Sequence, residues 1–143
     1  MAITRAVANS FKKEILEGVH DLESGGDVFK LGLYTSVATL SSATTSYTTS
    51  NEVADSGQYV AGGGVLQSQQ VSLATGGVAI ADFADLSFTG VTLTARGALI
   101  YNSTEAKKAV CVLDFGADKT ATSGTFTIQF PNFTSSSAIL RIA

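Results

Sequence analysis

Short strand-like runs, some of which alternate between apolar and polar residues, fill the chain from residue 65 onward, and they constrain the fold more than any other feature. Successive side chains on a β-strand point to opposite faces, so a period of two indicates strands with one buried face. Glycine, asparagine and serine separate the runs at the spacing of turns. The pattern predicts strands at residues 65–72, 77–83, 86–88, 93–102, 106–114, 124–130 and 138–142.

Two turns and one earlier strand complete the β pattern. Residues 74–77 and 102–105 have the composition of hairpin turns. Residues 27–35 alternate as well, and they predict a half-buried strand whose core face carries Phe29, Leu31 and Leu33. A chain of 143 residues has the size of one domain. We therefore expect a single mainly β domain, an antiparallel β-sandwich or barrel of about seven to eight strands with one N-terminal α-helix.

The helix is predicted near the N-terminus, where residues 1–18 form an arm or helix. Apolar residues recur there every four positions, at Val7, Phe11 and Ile15. We favour a helix over residues 4–16 that Thr4 caps and Gly18 ends. The alternative start, capped by Ser10, would leave residues 1–9 as an extended arm.

Residues 36–58 form a long polar segment that is rich in hydroxyl groups and almost without periodicity. A connection of this length in a compact domain usually makes contacts or serves function. The segment is therefore the first candidate for a binding surface.

Charge and hydropathy exclude two classes of partner. The net charge is −3, and the nine Lys and Arg residues form no basic stripe. Both observations argue against nucleic acid as a binding partner. No apolar run approaches the roughly 20 residues of a membrane span, and the first 20 residues lack a signal-peptide core. We expect a protein that is made in a cytoplasm and stays there, or leaves inside an assembly or after lysis. Only 15% of residues are charged, which leaves a neutral surface that a partner can cover.

No residue pattern for catalysis or for a cofactor occurs in the sequence. The single cysteine, Cys111, lies in an apolar run and is predicted to be a buried small hydrophobe. The single histidine, His20, follows the helix and is expected to cap it or to make a structural hydrogen bond. A calcium loop is suggested by Asp21, Glu23 and Asp27, but its twelfth position is Gly32 and not a bidentate glutamate. We expect no enzyme activity, no metal and no cofactor.

Six local motifs follow one another from residue 11 to about residue 131. They are, in this order, FKKEILEGVHDL, DVFKLGLYTSVATLSSATTSYTTSNEV, GQYVAGGGVL, ARGALIYNS, AVCVLDFG and GTFTIQFP. Together they resemble a family of small structural proteins from tailed-bacteriophage virions. Some members of such families resemble capsid decoration, or cement, proteins. The resemblance implies a non-enzymatic β-rich subunit that is made in the host cytoplasm and lies on the capsid surface.

Two functions within this resemblance stay open at this point. A cement protein would bind the major capsid protein lattice and stabilise it, as a dimer or trimer. A tail component, such as a tube, terminator or baseplate protein, is the alternative. A carbohydrate-binding module is disfavoured because the chain has no tryptophan, and a hydrolase because no catalytic group is evident.

Six residues are predicted to contact a partner. They lie in the polar loop and the helix, at Tyr47, Thr48, Asn51, Glu52, Phe11 and Ile15. The alternative for Phe11 and Ile15 is that they cover the core of their own domain.

Overall fold

The computed structural model describes residues 2–143 and consists of two antiparallel sheets and one helix within that range. The domain is sandwich-like and not a closed barrel, which confirms the predicted fold class and chooses between its two forms. No helix in the described range is long and apolar enough to cross a membrane. The elements are β1 (Ala6–Val7), α1 (Asn9–Leu16), β2 (Phe29–Tyr34), β3 (Gly64–Val65), β4 (Gln70–Ala74), β5 (Val78–Asp82), β6 (Leu86–Asn102), β7 (Lys108–Ile128) and β8 (Leu140–Ile142).

The long hairpin of β6 and β7 forms the centre of the larger sheet. This sheet has the order β1-β7-β6-β2-β3, and the smaller sheet has the order β4-β5-β8. The turn between β6 and β7 and the turn Thr75–Gly77 between β4 and β5 confirm the two predicted hairpins. One contiguous core contains side chains from α1, β2, β6 and β7, and it includes Cys111, which is buried as predicted.

Several predicted strand boundaries are wrong, because irregular pairing continues across apparent breaks. Residues 86–88 and 93–102 belong to one strand, as do most of residues 106–114 and 124–130. The pairing of β6 with β7 shifts register between Phe88 and Val91 and between Ala95 and Gly97, and it continues beyond each shift, so the strands do not end there. The predicted strand at 65–72 is instead divided between β3 and β4, which lie in different sheets.

The favoured start of the helix is also wrong. Ala6 and Val7 pair with Val112 and Cys111 of β7, so tertiary pairing overrides the helical pattern there. The helix begins at Asn9 after an N-cap, Ala8, that makes no side-chain bond. The alternative, an extended arm before a short helix, is therefore closer to the structure, although Met1 lies outside the described residues.

The end of the helix confirms the prediction for Gly18. This residue has a φ of +74°. Its N–H donates to the carbonyl of Ile15, and the N–H of Val19 donates to the carbonyl of Glu14. These two bonds form a Schellman motif, which satisfies carbonyl groups that the last helical turn would otherwise leave unpaired.

Strand β2 is buried on both faces, so the prediction of a half-buried strand is wrong. Five of its six residues are buried, including Gly32 and Tyr34 on the face expected to be exposed. Residues of the polar loop cover that face, and the Glu52 carboxylate lies over Gly32. The loop is fixed to the end of β2 because the N–H of Val53 donates to the carbonyl of Leu33.

Candidate functional site

The carboxylate of Glu52 is the centre of the polar loop, and three donors converge on it. The Tyr47 hydroxyl donates to Oε1. The Tyr59 hydroxyl and the backbone N–H of Gly62 both donate to Oε2, each at 2.7 Å. The Tyr59 oxygen in turn accepts a bond of 2.8 Å from the N–H of Leu33 in β2. One side chain therefore ties together the polar loop, the glycine turn at residues 61–64 and the larger sheet.

The other two tyrosines of the chain lie against the same group. The Tyr34 hydroxyl donates to the carbonyl of Thr48 at 2.6 Å, and the Tyr101 hydroxyl donates to the carbonyl of Gly62. The ring of Tyr47 stacks on that of Tyr101 with 4.7 Å between centroids. We call this group the tyrosine cluster and define it as Glu52 with Tyr34, Tyr47, Tyr59 and Tyr101.

The glycine turn fits the cluster because it approaches β2 very closely. Gly63 has a φ of +81°, and a Cβ atom on it would lie 1.8 Å from the carbonyl oxygen of Leu31. Only glycine tolerates both conditions. This close approach places the N–H of Gly62 on Glu52 and its carbonyl on the Tyr101 hydroxyl.

Burial raises the pKa of every hydroxyl in the tyrosine cluster, and the nearby Glu52 carboxylate raises each pKa further. For Tyr101 the pKa rises from 10.0 to about 12. The folded protein therefore holds protons that the unfolded chain releases near pH 10. The stabilisation is fully present below that pH and is lost as the pH rises from about 10 through 12.

We expect the melting temperature to be constant from neutral pH to about pH 9 and to fall steeply above pH 10. Tyrosinate absorbance and loss of circular dichroism, followed together during an alkaline titration, should change in one transition. The absorbance of free tyrosine in the same buffers is the control. Complete tyrosinate formation near pH 10 in a protein that is still folded would contradict the buried cluster.

The structure brings together three of the six predicted contact residues. Tyr47, Thr48 and Glu52 lie in or against the tyrosine cluster, where they hold the loop in place. Asn51 lies beside them at an exposed turn, with a φ of +62°, and its carbonyl accepts from the N–H of Thr35 at 3.0 Å. Contact of these residues with a partner stays a prediction.

The two predicted contact residues of the helix lie elsewhere. Phe11 is buried, with its ring centroid 4.8 Å from that of His20, and Ile15 is partly buried beside it. This placement agrees with the alternative that both cover the core of their own domain. Ile15 also lines an open groove, which is described below.

His20 makes structural hydrogen bonds, as predicted. Its Nε2 lies 2.9 Å from a carboxylate oxygen of Glu14, and its Nδ1 lies 3.0 Å from the side-chain nitrogen of Asn102. The Asn102 oxygen accepts two N–H groups of the following turn, which fixes the orientation of the amide. The histidine therefore accepts at Nδ1 and donates from Nε2. Asn102 also donates to Asp27 at 2.8 Å, so one of the suspected calcium ligands belongs to this network.

Tyr34, Tyr101 and the backbone N–H of Gly62 were not predicted from the sequence to lie near Glu52. One signal was present, because residues 36–58 contain Glu52 and no lysine or arginine. A carboxylate that is partly buried in such a segment needs neutral donors, and tyrosine hydroxyls are the strongest candidates in this chain.

The arrangement holds a surface loop in one conformation. Its three donors occupy both carboxylate oxygens of Glu52.

The chain's single cysteine lies outside the tyrosine cluster. Burial raises the pKa of the Cys111 thiol to about 12, so this thiol stays protonated at neutral pH. Within residues 2–143, no group of three or more His, Cys, Asp or Glu side chains is arranged to bind a metal ion. Comparison of the chain with protein-family models, curated proteins and solved structures gives no match.

Proposed function

We propose that this protein is a non-enzymatic structural subunit of a bacteriophage virion, a capsid cement protein that binds the major capsid protein lattice and stabilises it. The observation that carries the proposal is the tyrosine cluster, which presents the polar loop as a preformed surface. The subunit is made in the host cytoplasm and acts on the capsid surface as a small homo-oligomer.

The exposed residues of the loop suit contact with a protein lattice. Most are small or carry hydroxyl groups, among them Ala43, Thr45, Ser46, Thr49 and Ser50. Binding such a surface removes little charge from water, and a loop that is already ordered loses little conformational entropy. Contact with two or more capsid subunits at once would add avidity to weak single contacts.

A tail component is the second candidate, and the hairpin of β6 and β7 favours it. Residues 86–96 of β6 extend the hairpin beyond Gly97, where the pairing of β6 with β2 ends. Exposed threonines alternate along this extension, at Thr92, Thr94, Thr120, Thr122, Thr125 and Thr127. The other face of this part of the hairpin packs in the core. An exposed hydroxyl-rich face of this kind suits contacts between stacked subunits.

The cement function predicts saturable binding to purified shells that lack the protein, together with a higher rupture temperature. We expect Thr49→Arg to weaken binding at least tenfold, because it places a long charged side chain in the contact surface. The matched control is Thr122→Arg on the hairpin, which should bind as the original protein does.

Absence of saturable binding to heads, or binding without a gain in rupture temperature, would reject the cement function. Loss of binding in Thr122→Arg with retention in Thr49→Arg would reject the loop as the contact surface. A copy number of a few rings in each virion would favour the tail component instead.

A further inference from the structure

An open groove of about 600 Å³ separates α1 from the smaller sheet. Phe11, Ile15 and Leu16 line its helical wall, and Val71, Leu140 and Ile142 line its sheet wall. The groove lies outside the tyrosine cluster, and its lining is almost entirely apolar. It is a second candidate for a contact surface.

The strand register explains why the sheet wall is apolar. Val71 and Leu73 of β4 lie opposite Ala81 and Ala79 of β5, and β8 lies opposite the same two alanines with Leu140 and Ile142. Residues directly opposite each other in antiparallel strands share a face. The whole face is therefore apolar, and α1 covers only part of it.

The uncovered part of this surface carries large exposed side chains. Leu16 is 89% exposed, Leu73 is 74% exposed and Ile142 is 58% exposed. A continuous exposed apolar surface of this kind marks a site of association. This surface has both protruding side chains and a groove. The protruding side chains of a second copy can therefore fill the groove of the first.

The rim of the groove carries charges of both signs. Lys12 on α1 is a cation, whereas Asp21 and Glu23 in the loop after α1 are anions. None of these three takes part in the ion pairs within residues 2–143. A rim with charges of both signs complements a second copy of the same rim and not a surface of one sign.

We propose that this groove is the contact surface of a two-fold symmetric homodimer, in which Leu16 of each copy enters the groove of the other and Lys12 of each copy faces Glu23 of the other. Two-fold contacts use the same surface on both subunits, so the cation on each rim can meet an anion on the other. We expect a weak, reversible association with a dissociation constant on the order of 10 μM. This dimer is the small homo-oligomer of the proposed function, but it forms in the absence of a capsid.

Sedimentation velocity of the full chain, from well below to well above that concentration, tests the dimer. We expect a reversible transition from monomer to dimer. Leu16→Lys should weaken dimerisation at least tenfold, because it places a charge in the groove. Val60→Lys changes an exposed apolar side chain outside the groove and should leave dimerisation unchanged, with circular dichroism as the check on folding.

Charge reversal tests the two-fold arrangement itself. Lys12→Glu and Glu23→Lys should each weaken self-association roughly tenfold, because each places like charges opposite one another twice in the dimer. An equimolar mixture of the two variants should associate as the original protein does, since both contacts regain opposite charges.

A chain that stays monomeric at every concentration overturns the proposal, as does a dimer that Leu16→Lys leaves intact or a mixture of the charge variants that stays monomeric. A monomeric chain whose Leu16→Lys variant binds shells less well would assign the groove to the capsid protein instead. The sedimentation results do not depend on whether the polar loop binds shells, so the failure of one proposal is distinguishable from the failure of the other.

Discussion

Replacing Glu52 with alanine is expected to lower the free energy of unfolding by about 4 kcal/mol and the melting temperature by roughly 10 °C. The substitution leaves the Tyr47 and Tyr59 hydroxyls and the N–H of Gly62 without their acceptor. Each of these part-buried donors costs about 1–3 kcal/mol when it loses its acceptor. Urea denaturation followed by circular dichroism measures the loss.

Two further variants distinguish the loss of the hydrogen bonds in the tyrosine cluster from a general effect of removing a glutamate. Glu52→Gln keeps the shape of the side chain and one acceptor oxygen, but it replaces the second oxygen with an NH₂ group, which donates and does not accept. We therefore expect about half of the loss in unfolding free energy that Glu52→Ala causes. Glu17→Ala removes an exposed carboxylate whose hydrogen-bond partner is Lys13, and it should leave stability unchanged. A loss below about 1 kcal/mol in Glu52→Ala would show that the loop is held by other contacts.

Gly63→Ala is expected to destabilise the protein by about 4 kcal/mol or to prevent folding, because its new methyl group would overlap the carbonyl oxygen of Leu31. Relief of the overlap requires the glycine turn to move away from β2. That movement separates Gly62 from both the Glu52 carboxylate and the Tyr101 hydroxyl. The melting temperature and the soluble fraction report the effect.

Gly76→Ala is the matched control for this substitution. Gly76 has a φ of +82°, almost the same as that of Gly63, but a Cβ atom there has no neighbour within 4 Å. Its replacement should therefore cost only about 1 kcal/mol, the strain of alanine in a left-handed conformation. Equal losses in the two variants would mean that strain, and not the approach to Leu31, requires glycine at position 63.

The sequence predicts the parts of this fold that depend on local chemistry. Both hairpin turns, the helix end at Gly18 and the core face of β2 follow from residue type and period, and the structure confirms them. The predictions are wrong where a segment that is distant in the sequence determines the local structure. The pairing of Val7 with Cys111 replaces a helical turn by a strand, and Glu52 covers a face of β2 that was expected to meet solvent.

The candidate site is harder to predict for the same reason. Tyr34 and Tyr101 lie on two strands of the larger sheet and become neighbours of Glu52 only when the loop folds across them. The apolar groove likewise combines Leu16 of the helix with Ile142 near the other end of the chain. Periodicity indicates that each side chain faces an apolar surface, but it does not indicate which surface.

The order of strands in the larger sheet has a consequence for synthesis. Strand β1 pairs only with β7, and β2 pairs over its whole length with β6 but at only two residues with β3. The first strands of the chain therefore find most of their sheet partners in its last third. A ribosome therefore releases Phe29, Leu31 and Leu33 long before their neighbours exist. The β6–β7 hairpin, which joins residues close in sequence, can form at once and serve as the template. Folding of the N-terminal half thus waits for the C-terminal half to be translated.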